Sequence, residues 1–411
     1  MMDDEVFMSE HGHDLMESET GSSSAMPEEV LEQNALTSTL NSMIVYGKAA
    51  HHNLTAPRRE ALTKLSRMHR TLLEPFYSDY LLSIDRAIDV NSQFMTLVAQ
   101  IGANNFEAPQ ERQEWQGATS IQVDHTKSTL KQLYRDWSMQ GKSERDVAYR
   151  PVIEALNDLF EINKRSETHV LIPGAGLGRL AYDIAQEGYI SQANEFSYHM
   201  LLTSDFVINH TQTKNQYQLF PFIHSFSHNT SAKNQLQAVQ IPDICPSENA
   251  GLIRGAFSFT AGSFTDVYGP KDDDAGSGMK NMWNAIVTVF FIDTAHNLLD
   301  YIDTISYALC DASDGEGYWI NYGPLLYHFE DDLSNRGDLK SDSNLSIELP
   351  LDKLVHVIET AGFVFLRLET KLKTTYASDP QAMGSWIYDC VFWVARKRKP
   401  GEVYESFVDR V

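Results

Sequence analysis

Two patterns of apolar residues divide the chain near residue 150, one helical and the other strand-like. Between residues 58 and 100 glycine is nearly absent, and apolar side chains recur three and four positions apart, which predicts helix. Pro75 is expected to break or kink this run, and a further helix is predicted over 126–139. We therefore predict an N-terminal helical region over 41–150. The apolar positions of the first run are Leu62, Leu65, Met68, Leu72, Leu73, Phe76, Leu81, Ile84 and Ile88.

Beyond residue 168, short apolar runs alternate with helical segments. This alternation predicts an α/β domain over 151–400 with a parallel, doubly wound sheet. The last two of its seven predicted strands are close in sequence and are expected to form a hairpin. Three segments rich in Gly, Ser and Asp, 269–278, 311–317 and 331–344, are predicted to be surface loops. The predicted strands are 170–173, 193–195, 257–261, 285–292, 318–322, 363–369 and 389–395.

Charge changes the picture at the N-terminus. The 411 residues carry a formal net charge of −23, and the first Lys or Arg is Lys48. Residues 1–40 are acidic, Ser-rich and without hydrophobic periodicity, which predicts a disordered tail with no specific role. An acidic chain without a basic stripe is expected to bind no nucleic acid.

Other sequence signals limit the location and the chemistry. No apolar run approaches the ~20 residues of a transmembrane helix, and the acidic N-terminus lacks the pattern of a signal peptide. The three cysteines, Cys245, Cys310 and Cys390, have no metal-binding spacing. We expect reduced thiols in an intracellular protein, without a membrane partner or a metal site.

A glycine-rich turn after the first predicted strand indicates a nucleotide-like ligand. It reads Pro173-Gly174-Ala175-Gly176-Leu177-Gly178, and helix-forming residues follow it, so its backbone amides can approach a ligand. A dinucleotide fingerprint would place its third glycine at position 179, which is Arg179 here. The G-x-G-x-G spacing instead resembles the S-adenosylmethionine loop of Rossmann-like class I methyltransferases, whose seven-stranded sheet also matches the predicted strands.

Four further positions extend the predicted cofactor site. Glu195 ends the second predicted strand about 20 residues after the loop, where a carboxylate can accept hydrogen bonds from ribose hydroxyls. Its alternative is an ordinary acid at a strand end. Ser263 and Phe264 follow the third strand, where adenine would lie, and the phenyl ring either stacks on the base or belongs to the core. Val289, in the fourth predicted strand, is a further cofactor-binding candidate.

Three more motifs narrow the class. They are STLKQLYRDW at 128–137, FFIDTAHN at 290–297 and GPLLYHF at 323–329. With the glycine loop, and in this order, they closely resemble the carnosine N-methyltransferase family from about residue 128 to 397. The resemblance implies methyl transfer from S-adenosyl-L-methionine to an imidazole nitrogen of the dipeptide carnosine, giving anserine. It also implies a location in the cytosol and nucleus, and a homodimer built largely through the N-terminal helices.

The resemblance assigns residues as well. Gln132 and Arg135 should reach the cofactor from the helical region, where the planar guanidinium of Arg135 suits the methionine carboxylate. Gly174 and Glu195 match the family pattern.

The predicted acceptor site lies at the carboxyl edge of the sheet, where ligands of α/β proteins bind. Neutral imidazole has one lone-pair nitrogen, which must face the methyl group, and one N–H, which needs an acceptor. Asp293 is predicted to accept that N–H and stabilise the growing positive charge, and its alternative is to cap a helix beginning near Thr294. His328 is predicted to bind the substrate or accept a proton. Tyr376 and Tyr388 match family tyrosines at the pocket, and Tyr388 joins Asp293 and His328 as a catalytic candidate.

The chain departs from the family pattern at three positions. Ser263 stands where the family has Asp, so the adenine contact is weakened or remade, and Asn284 also replaces an Asp. Trp386 replaces a pocket Tyr; its ring can lie flat on an imidazole but cannot accept a hydrogen bond as a phenol does. Asp331 and Asp332 are candidates for binding the amine of the dipeptide.

Three other functions stay open. The chain could methylate histidine in other peptides or proteins, which an open groove would favour. It could be an S-adenosylmethionine-binding protein that has lost catalysis, against which Asp293 and His328 argue. A nicotinamide dehydrogenase is the weakest alternative, because of the position of Gly178.

Overall fold

The computed structural model describes residues 27–249, 255–271, 279–311, 316–330 and 346–408. Residues 1–26, the whole predicted loop 331–344 with Asp331 and Asp332, and most of the loops 269–278 and 311–317 lie outside the described residues. In the described ranges, no helix is both long and apolar enough to cross a membrane. The same ranges contain no group of three or more His, Cys, Asp or Glu that could hold a metal ion.

A layer of helices precedes the sheet, and it starts earlier than the sequence predicted. The first helix begins at Glu28, so the prediction of a disordered tail is wrong for residues 28–40. Acids in the first turns of a helix suit its dipole, and Leu36 and Leu40 are buried in the core. The helices of this layer are α1 (Glu28–Ala50), which a π-helical segment (His51–Thr55) joins to α2 (Ala56–Lys64), then α3 (Arg67–Leu73), α4 (Tyr77–Asn105), α5 (Ser120–Trp137) and α6 (Lys142–Leu159).

The helix boundaries have local causes. The break between α3 and α4 includes Pro75, as predicted. α5 starts at Ser120 because Thr119 and Gln122 form a capping box: the Gln122 N–H donates to the Thr119 hydroxyl at 3.2 Å, and the Thr119 N–H donates to the Gln122 side chain at 3.0 Å. The boundary predicted at residue 150 falls inside α6. The helical layer and the sheet are therefore joined by a continuous helix.

One seven-stranded sheet forms the centre of the protein, and every predicted strand belongs to it. Its strands are β1 (His169–Pro173), β2 (Ile190–Glu195), β5 (Ala256–Ala261), β6 (Ala285–Val289), β7 (Tyr318–Gly323), β8 (Phe363–Thr374) and β9 (Tyr388–Lys397), and a separate antiparallel pair consists of β3 (Tyr217–Leu219) and β4 (Val239–Ile241). The sequence did not predict that pair, because three-residue strands show no periodicity.

The order of the sheet is β5-β2-β1-β6-β7-β9-β8. β9 is antiparallel to both neighbours and all other pairs are parallel, so the expected hairpin of the last two strands is confirmed. The order reverses between β1 and β6, and ligands of doubly wound sheets bind at such a reversal, outside the carboxyl ends of the strands. The crevice beyond Pro173 and Val289 is therefore where the topology places a ligand.

Three buried clusters show how the helical layer joins the sheet domain. One buried cluster combines Met43 of α1 and Leu133 of α5 with Phe206 and with the β3–β4 pair. Two other clusters fill the faces of the sheet, one around Trp319 and the other around Ile320. The helical layer therefore shares a core with the sheet domain. The helices that follow β1 are α7 (Arg179–Gln186), α8 (Tyr198–His210), α9 (Ala232–Gln235), α10 (Pro246–Asn249), α11 (Phe264–Tyr268), α12 (Leu298–Ala308) and α13 (Leu351–Thr360).

Candidate active site

The glycine loop joins β1 to α7, and its backbone is left-handed at Gly174, Gly176 and Gly178, with φ of 62°, 55° and 76°. Glycine adopts this conformation without the steric cost of a Cβ atom. A Cβ atom at Gly174 would overlap the ring of Phe291, whereas one at Gly176 would meet no atom within 4 Å. The loop therefore has an open backbone face at Gly176, just before the N-terminus of α7, where anionic and polar ligands are bound.

Glu195 ends β2, as predicted, and its side chain lies against this loop. Its Oε2 accepts a hydrogen bond from the Gly176 N–H at 2.8 Å, and its Oε1 accepts from Phe196 and Ser197, both at 2.9 Å. Burial raises the pKa of this carboxyl group, and the three backbone donors oppose the shift. Because each carboxylate oxygen can accept two hydrogen bonds, Oε2 can also accept one from a ribose hydroxyl.

Helix α5 is fastened to the glycine loop, which explains how the helical layer reaches this site. Trp137, at the end of α5, donates from Nε1 to the Leu177 carbonyl at 3.0 Å. Arg179, the first residue of α7, donates to the carbonyl of Asp136 at 2.9 Å and to the carboxylate of Asp243 at 2.6 Å. These buried hydrogen bonds fix the last turns of α5 relative to the loop.

Gln132 and Arg135 lie nearly one turn apart on α5, and both contact Tyr376. Gln132 donates from Nε2 to the Tyr376 hydroxyl at 2.8 Å, and the Arg135 guanidinium carbon lies 4.7 Å from the centre of the Tyr376 ring. Arg135 is 4% exposed, and its Nη1 donates to Asp136 at 2.7 Å and to Tyr149 at 2.9 Å. Two residues predicted for the cofactor and one predicted for the substrate thus form one cluster. The pairing of Arg135 with a methionine carboxylate stays a prediction.

Phe264 belongs to the core, which was one of its two predicted roles. It is 4% exposed, and its ring packs edge-to-face against Phe291 and Tyr301 at centroid distances of 5.6 and 5.5 Å. A ring buried in this way has no free face for a base, so a contact from Phe264 to the cofactor would have to use its backbone. Ser263 precedes α11, and its hydroxyl lies 3.1 Å from that of Thr265. Its contact with adenine stays a prediction.

Strand β6 ends at Val289, earlier than predicted, because the next residue leaves the extended conformation. Phe290 has a φ of 52°, which is rare for a bulky residue, costs on the order of 1–3 kcal/mol and is typical of functional sites. Its ring lies 4.8 Å from that of Tyr376 and 6.0 Å from that of Tyr388. The turn at Phe290 leads into the 3₁₀ helix (Ile292–Thr294) that carries Asp293.

Asp293 is 3% exposed, and burial raises its pKa to about 7. Its Oδ2 accepts a hydrogen bond from the Leu326 N–H at 2.9 Å. It does not cap the following helix, which was its alternative role, because α12 begins at Leu298 and the side chain of Asn297 accepts from the Leu299 N–H. A buried carboxyl group with a strongly raised pKa, at the carboxyl edge of the sheet, is typical of a catalytic residue.

His328 is hydrogen-bonded to the backbone of Asp293, and Tyr388 lies within the electrostatic influence of its carboxyl group. The His328 N–H donates to the Asp293 carbonyl at 3.2 Å, which holds the segment after β7 against the 3₁₀ helix. Burial, followed by the negative charge of Asp293, raises the pKa of Tyr388 to about 12. Tyr388 therefore keeps its proton at neutral pH and can donate a hydrogen bond.

A surface cleft opens beside Tyr388, and its second wall was not predicted. That wall is the segment 222–229. It is joined to the connection between β8 and β9 by a hydrogen bond that the Met383 N–H donates to the His228 carbonyl at 2.7 Å. Trp386 stands at the rim and is 56% exposed. Asp293 and His328 are not among the described lining residues, and Tyr388 links them to the cleft. The predicted residues that line the cleft are Gln132, Tyr376, Trp386 and Tyr388.

Two contributors to this site were missed, for different reasons. Glu144, in the first turn of α6, accepts hydrogen bonds from the segment around Tyr376. In the sequence it is indistinguishable from any acid near a helix N-terminus. The segment 222–229 lies in irregular structure between β3 and β4, where no periodic pattern marks it. Only contacts between distant parts of the chain reveal either one.

The strand order with an antiparallel β9, the glycine loop after β1 and the acid that ends β2 define a Rossmann-like class I methyltransferase. A family model described as Carnosine N-methyltransferase matches residues 112–399, and the chain belongs to this family.

Curated relatives agree with this assignment. The chain is 38% identical over 376 residues to the Carnosine N-methyltransferase of Schizosaccharomyces pombe, covering 90% of this chain and 97% of that one. It is 37% identical to that of Mus musculus, covering 91% and 88%. A solved structure, magnesium protoporphyrin IX methyltransferase from Synechocystis PCC 6803, aligns with a TM-score of 0.35 at 13% identity, covering 66% of this chain and 93% of that one. The fold assignment rests on the strand order rather than on that alignment.

Proposed function

We propose that this protein transfers a methyl group from S-adenosyl-L-methionine to an imidazole nitrogen of carnosine, giving anserine. Membership of the family and the names of the curated relatives support the reaction. The observation that carries the proposal is the environment of Asp293. Its carboxyl group is buried and has a pKa of about 7, and its negative charge helps to raise the pKa of Tyr388 beside the cleft. Its environment suits a group that receives the N–H of an imidazole.

The residues of the donor side fit S-adenosylmethionine, which supplies an activated methyl group. Gly176 leaves space above the loop, and Glu195 can accept a hydrogen bond from a ribose hydroxyl. Arg135 is a buried cation near the end of α5 that can pair with a carboxylate. Phe290, Tyr376 and Tyr388 lie on the acceptor side of the same crevice.

On the acceptor side the main task is to orient a neutral imidazole. The nitrogen with the lone pair faces the methyl group, and the other nitrogen donates its N–H to Asp293. As the new nitrogen–carbon bond forms, the carbon–sulfur bond breaks, the sulfur keeps its electron pair, and positive charge develops on the ring. Because the pKa of Asp293 is close to the ordinary imidazole value of about 6.5, its carboxylate can stabilise that charge and accept the proton.

The charges of the cleft fit the two ends of a dipeptide. Among the described residues that line it, Lys131 is the one basic group of the Lys and Arg type and Asp379 is the one carboxylate. A free dipeptide carries one carboxylate and one amine, so each end can meet an opposite charge. We therefore assign the substrate carboxylate to Lys131 and the amine to Asp379.

The test is a transfer assay with labelled S-adenosylmethionine and purified protein. Carnosine is compared with homocarnosine, histidine and an extract of His-containing proteins, and the product is compared with authentic anserine. Label in carnosine, absent with Asp293→Asn, is the expected result. No label in any acceptor, with cofactor binding intact, would leave a binding protein without catalysis.

The open rim favours a second candidate, methylation of histidine in longer peptides. Trp386 is more than half exposed, and the exposed Met383 lies three residues before it. A peptide that extends beyond the cleft could lie over these side chains. Strong labelling of the protein extract with little labelling of carnosine would establish this alternative.

Two further proposals rest on the family resemblance. We propose a homodimer formed through the N-terminal helices, which the exposed apolar side chains of Met68, Leu72 and Phe76 support. Light scattering of the native protein and of Leu72→Glu tests it, and a monomeric native protein would contradict it.

The proposed location is the cytosol and nucleus, which imaging of the tagged chain tests.

A further inference from the structure

Glu144 contacts the acceptor side from outside the site. It lies in the first turn of α6, and its side chain is 9% exposed. Its Oε1 accepts a hydrogen bond from the Ala377 N–H at 2.7 Å, and its Oε2 accepts from the Thr375 hydroxyl at 2.6 Å and the Ser378 N–H at 3.1 Å. One carboxylate thus accepts three hydrogen bonds from the segment around Tyr376, one from a side-chain hydroxyl before the ring and two from backbone amides after it.

The held segment is the start of the connection between β8 and β9, and it has no regular structure of its own. Ala377 has a φ of 47°, a conformation that costs an L-residue on the order of 1 kcal/mol and must be stabilised by its surroundings. The far part of the connection is held separately, by the hydrogen bond from Met383 to His228. Gln132 holds the Tyr376 hydroxyl, and Glu144 holds the backbone on either side of the ring.

Glu144 also approaches the donor side, but weakly. Its Oε1 lies 3.7 Å from Nε of Arg135, whose guanidinium lies against the Tyr376 ring. Three hydrogen bonds to an ionised group outweigh one ion contact beyond hydrogen-bond distance. The main consequence of losing Glu144 should thus appear in acceptor binding and not in donor binding.

An ordinary structural role for Glu144 makes a different prediction. An acid in the first turn stabilises a helix through the dipole, and any carboxylate nearby does this equally well. Asp would then replace Glu. A carboxylate that reaches the Thr375–Ser378 backbone needs the full length of Glu, because Asp is shorter by one methylene group.

We propose that Glu144 is a positioning residue that fixes Tyr376 in the acceptor cleft, an inference that rests on the proposed methyl transfer to an imidazole. It does not touch substrate. Glu144 sets the position of the Tyr376 ring, which contacts the substrate, through hydrogen bonds to the residues on both sides of Tyr376.

Steady-state kinetics of four variants test the proposal. Glu144→Gln and Glu144→Asp should each raise KM for carnosine about tenfold, with kcat and KM for S-adenosylmethionine changed less than threefold. Thr375→Val removes one of the three hydrogen bonds and should raise KM for carnosine about threefold. Asp146→Asn, on the same helix and paired with Lys142 at the surface, is the matched control and should change nothing.

The double variant Glu144→Leu/Thr375→Val should resemble Glu144→Leu alone, because Leu offers no partner to the Thr375 hydroxyl and the second change then removes nothing further. Additive effects, a normal KM in Glu144→Asp, or equal changes in all kinetic constants would overturn the positioning role. Thr375→Val keeps the test decisive if the Glu144 variants do not fold.

Hydrogen exchange separates this proposal from the proposed reaction. Because Gln keeps one acceptor oxygen in place of two, the amide of Ala377 or that of Ser378 should exchange at least tenfold faster in Glu144→Gln, whether or not carnosine is the substrate. If the native protein methylates no imidazole, the proposed reaction is refuted. The exchange result then still tests whether Glu144 anchors the backbone around Tyr376. Unchanged exchange would refute the anchor even if carnosine is methylated.

Discussion

The donor and acceptor sides of the crevice are built from different parts of the chain. The donor side is mainly backbone: a left-handed glycine loop and amides that donate to Glu195, all within 25 residues of sequence. The acceptor side consists of side chains from separate elements, among them Asp293, Tyr376 and Tyr388. Recognition of the donor is thus local in sequence, whereas recognition of the acceptor depends on how distant segments meet.

The largest expected effect is that of Asp293→Asn, which should impair the acceptor side and spare the donor side. Asp293→Asn keeps the shape but removes the charge that stabilises the imidazolium, so turnover should fall by at least about a thousandfold. Donor affinity should change less than threefold, because the donor contacts lie elsewhere. Turnover with labelled donor and calorimetric binding of S-adenosylmethionine measure the two. A collapse of donor affinity would place Asp293 on the donor side.

The same variant should be more stable than the native protein above neutral pH. The pKa of Asp293 rises from 3.8 in the unfolded chain to about 7 when folded, so the folded state binds the proton more tightly. Stability is therefore lost as pH rises through this interval, by up to about 4 kcal/mol. Asp293→Asn avoids that loss. Denaturant unfolding at pH 5 and pH 8 should show a larger advantage at pH 8.

The pH profile gives the next largest effect. Below pH 7 the Asp293 carboxyl group is protonated and can neither stabilise the positive charge that develops on the imidazole nor accept its proton, so kcat/KM should fall about tenfold per unit. Protonation of free imidazole below about 6.5 adds a second decrease. An acceptor with a less basic imidazole should move one of the two limbs and leave the other near 7. A single limb whose pKa shifts with that of the acceptor would show that the ionisation of Asp293 does not control kcat/KM.

Gly174→Ala should damage the donor side by tenfold or more in S-adenosylmethionine affinity. The new Cβ atom would overlap Phe291 in a backbone with a φ of 62°, so the loop must move. Gly362→Ala is the matched control, because Gly362 has a φ of 96° with no atom within 4 Å of a new Cβ. It should cost about 1 kcal/mol of stability and leave donor affinity intact. Equal donor affinity in both variants would show that the loop tolerates a side chain.

The fold was largely readable from the sequence, because apolar runs and turns are local signals. All seven strands of the sheet were predicted, and the hairpin of the last two is confirmed. The errors arose where tertiary structure decides. The acidic segment from Glu28 onward is helical because its apolar side chains find a core, and β6 stops at Val289 because Phe290 turns the backbone.

The site was readable on the donor side and less so on the acceptor side. Glycine spacing and the position of Glu195 are visible in one sequence, and the structure brings them together. Gln132 and Tyr376 are 244 positions apart, and Glu144 and Ser378 are 234 apart. No spacing predicts such contacts. The family resemblance indicated the first pair through known motifs, whereas the second pair carries no motif.

The charged ends of the acceptor should contribute about tenfold each. Lys131→Met and Asp379→Asn remove the two charges assigned to the ends of the dipeptide, so each should raise KM for carnosine with kcat little changed. N-acetylated carnosine is the control for Asp379, because it has no amine to bind. The native protein and Asp379→Asn should then have similar KM values for it. A penalty that persists with the acetylated acceptor would assign Asp379 to the structure of the cleft.

Trp386→Tyr should have the smallest effect, and it tests how far the acceptor side follows the family pattern. Trp386 is 56% exposed, and its ring centre lies 6.2 Å from that of Tyr388. Because so much of the indole remains in water, replacing it by a phenol changes little buried area, and KM for carnosine should change less than threefold. The phenol adds a hydrogen-bond acceptor that indole lacks, so the variant should not bind worse than Trp386→Phe. The contrary outcome would be a tenfold lower KM for carnosine together with a higher KM for longer His-containing peptides. Position 386 would then determine the size of the acceptor, because the indole would be favouring peptides that extend beyond the cleft.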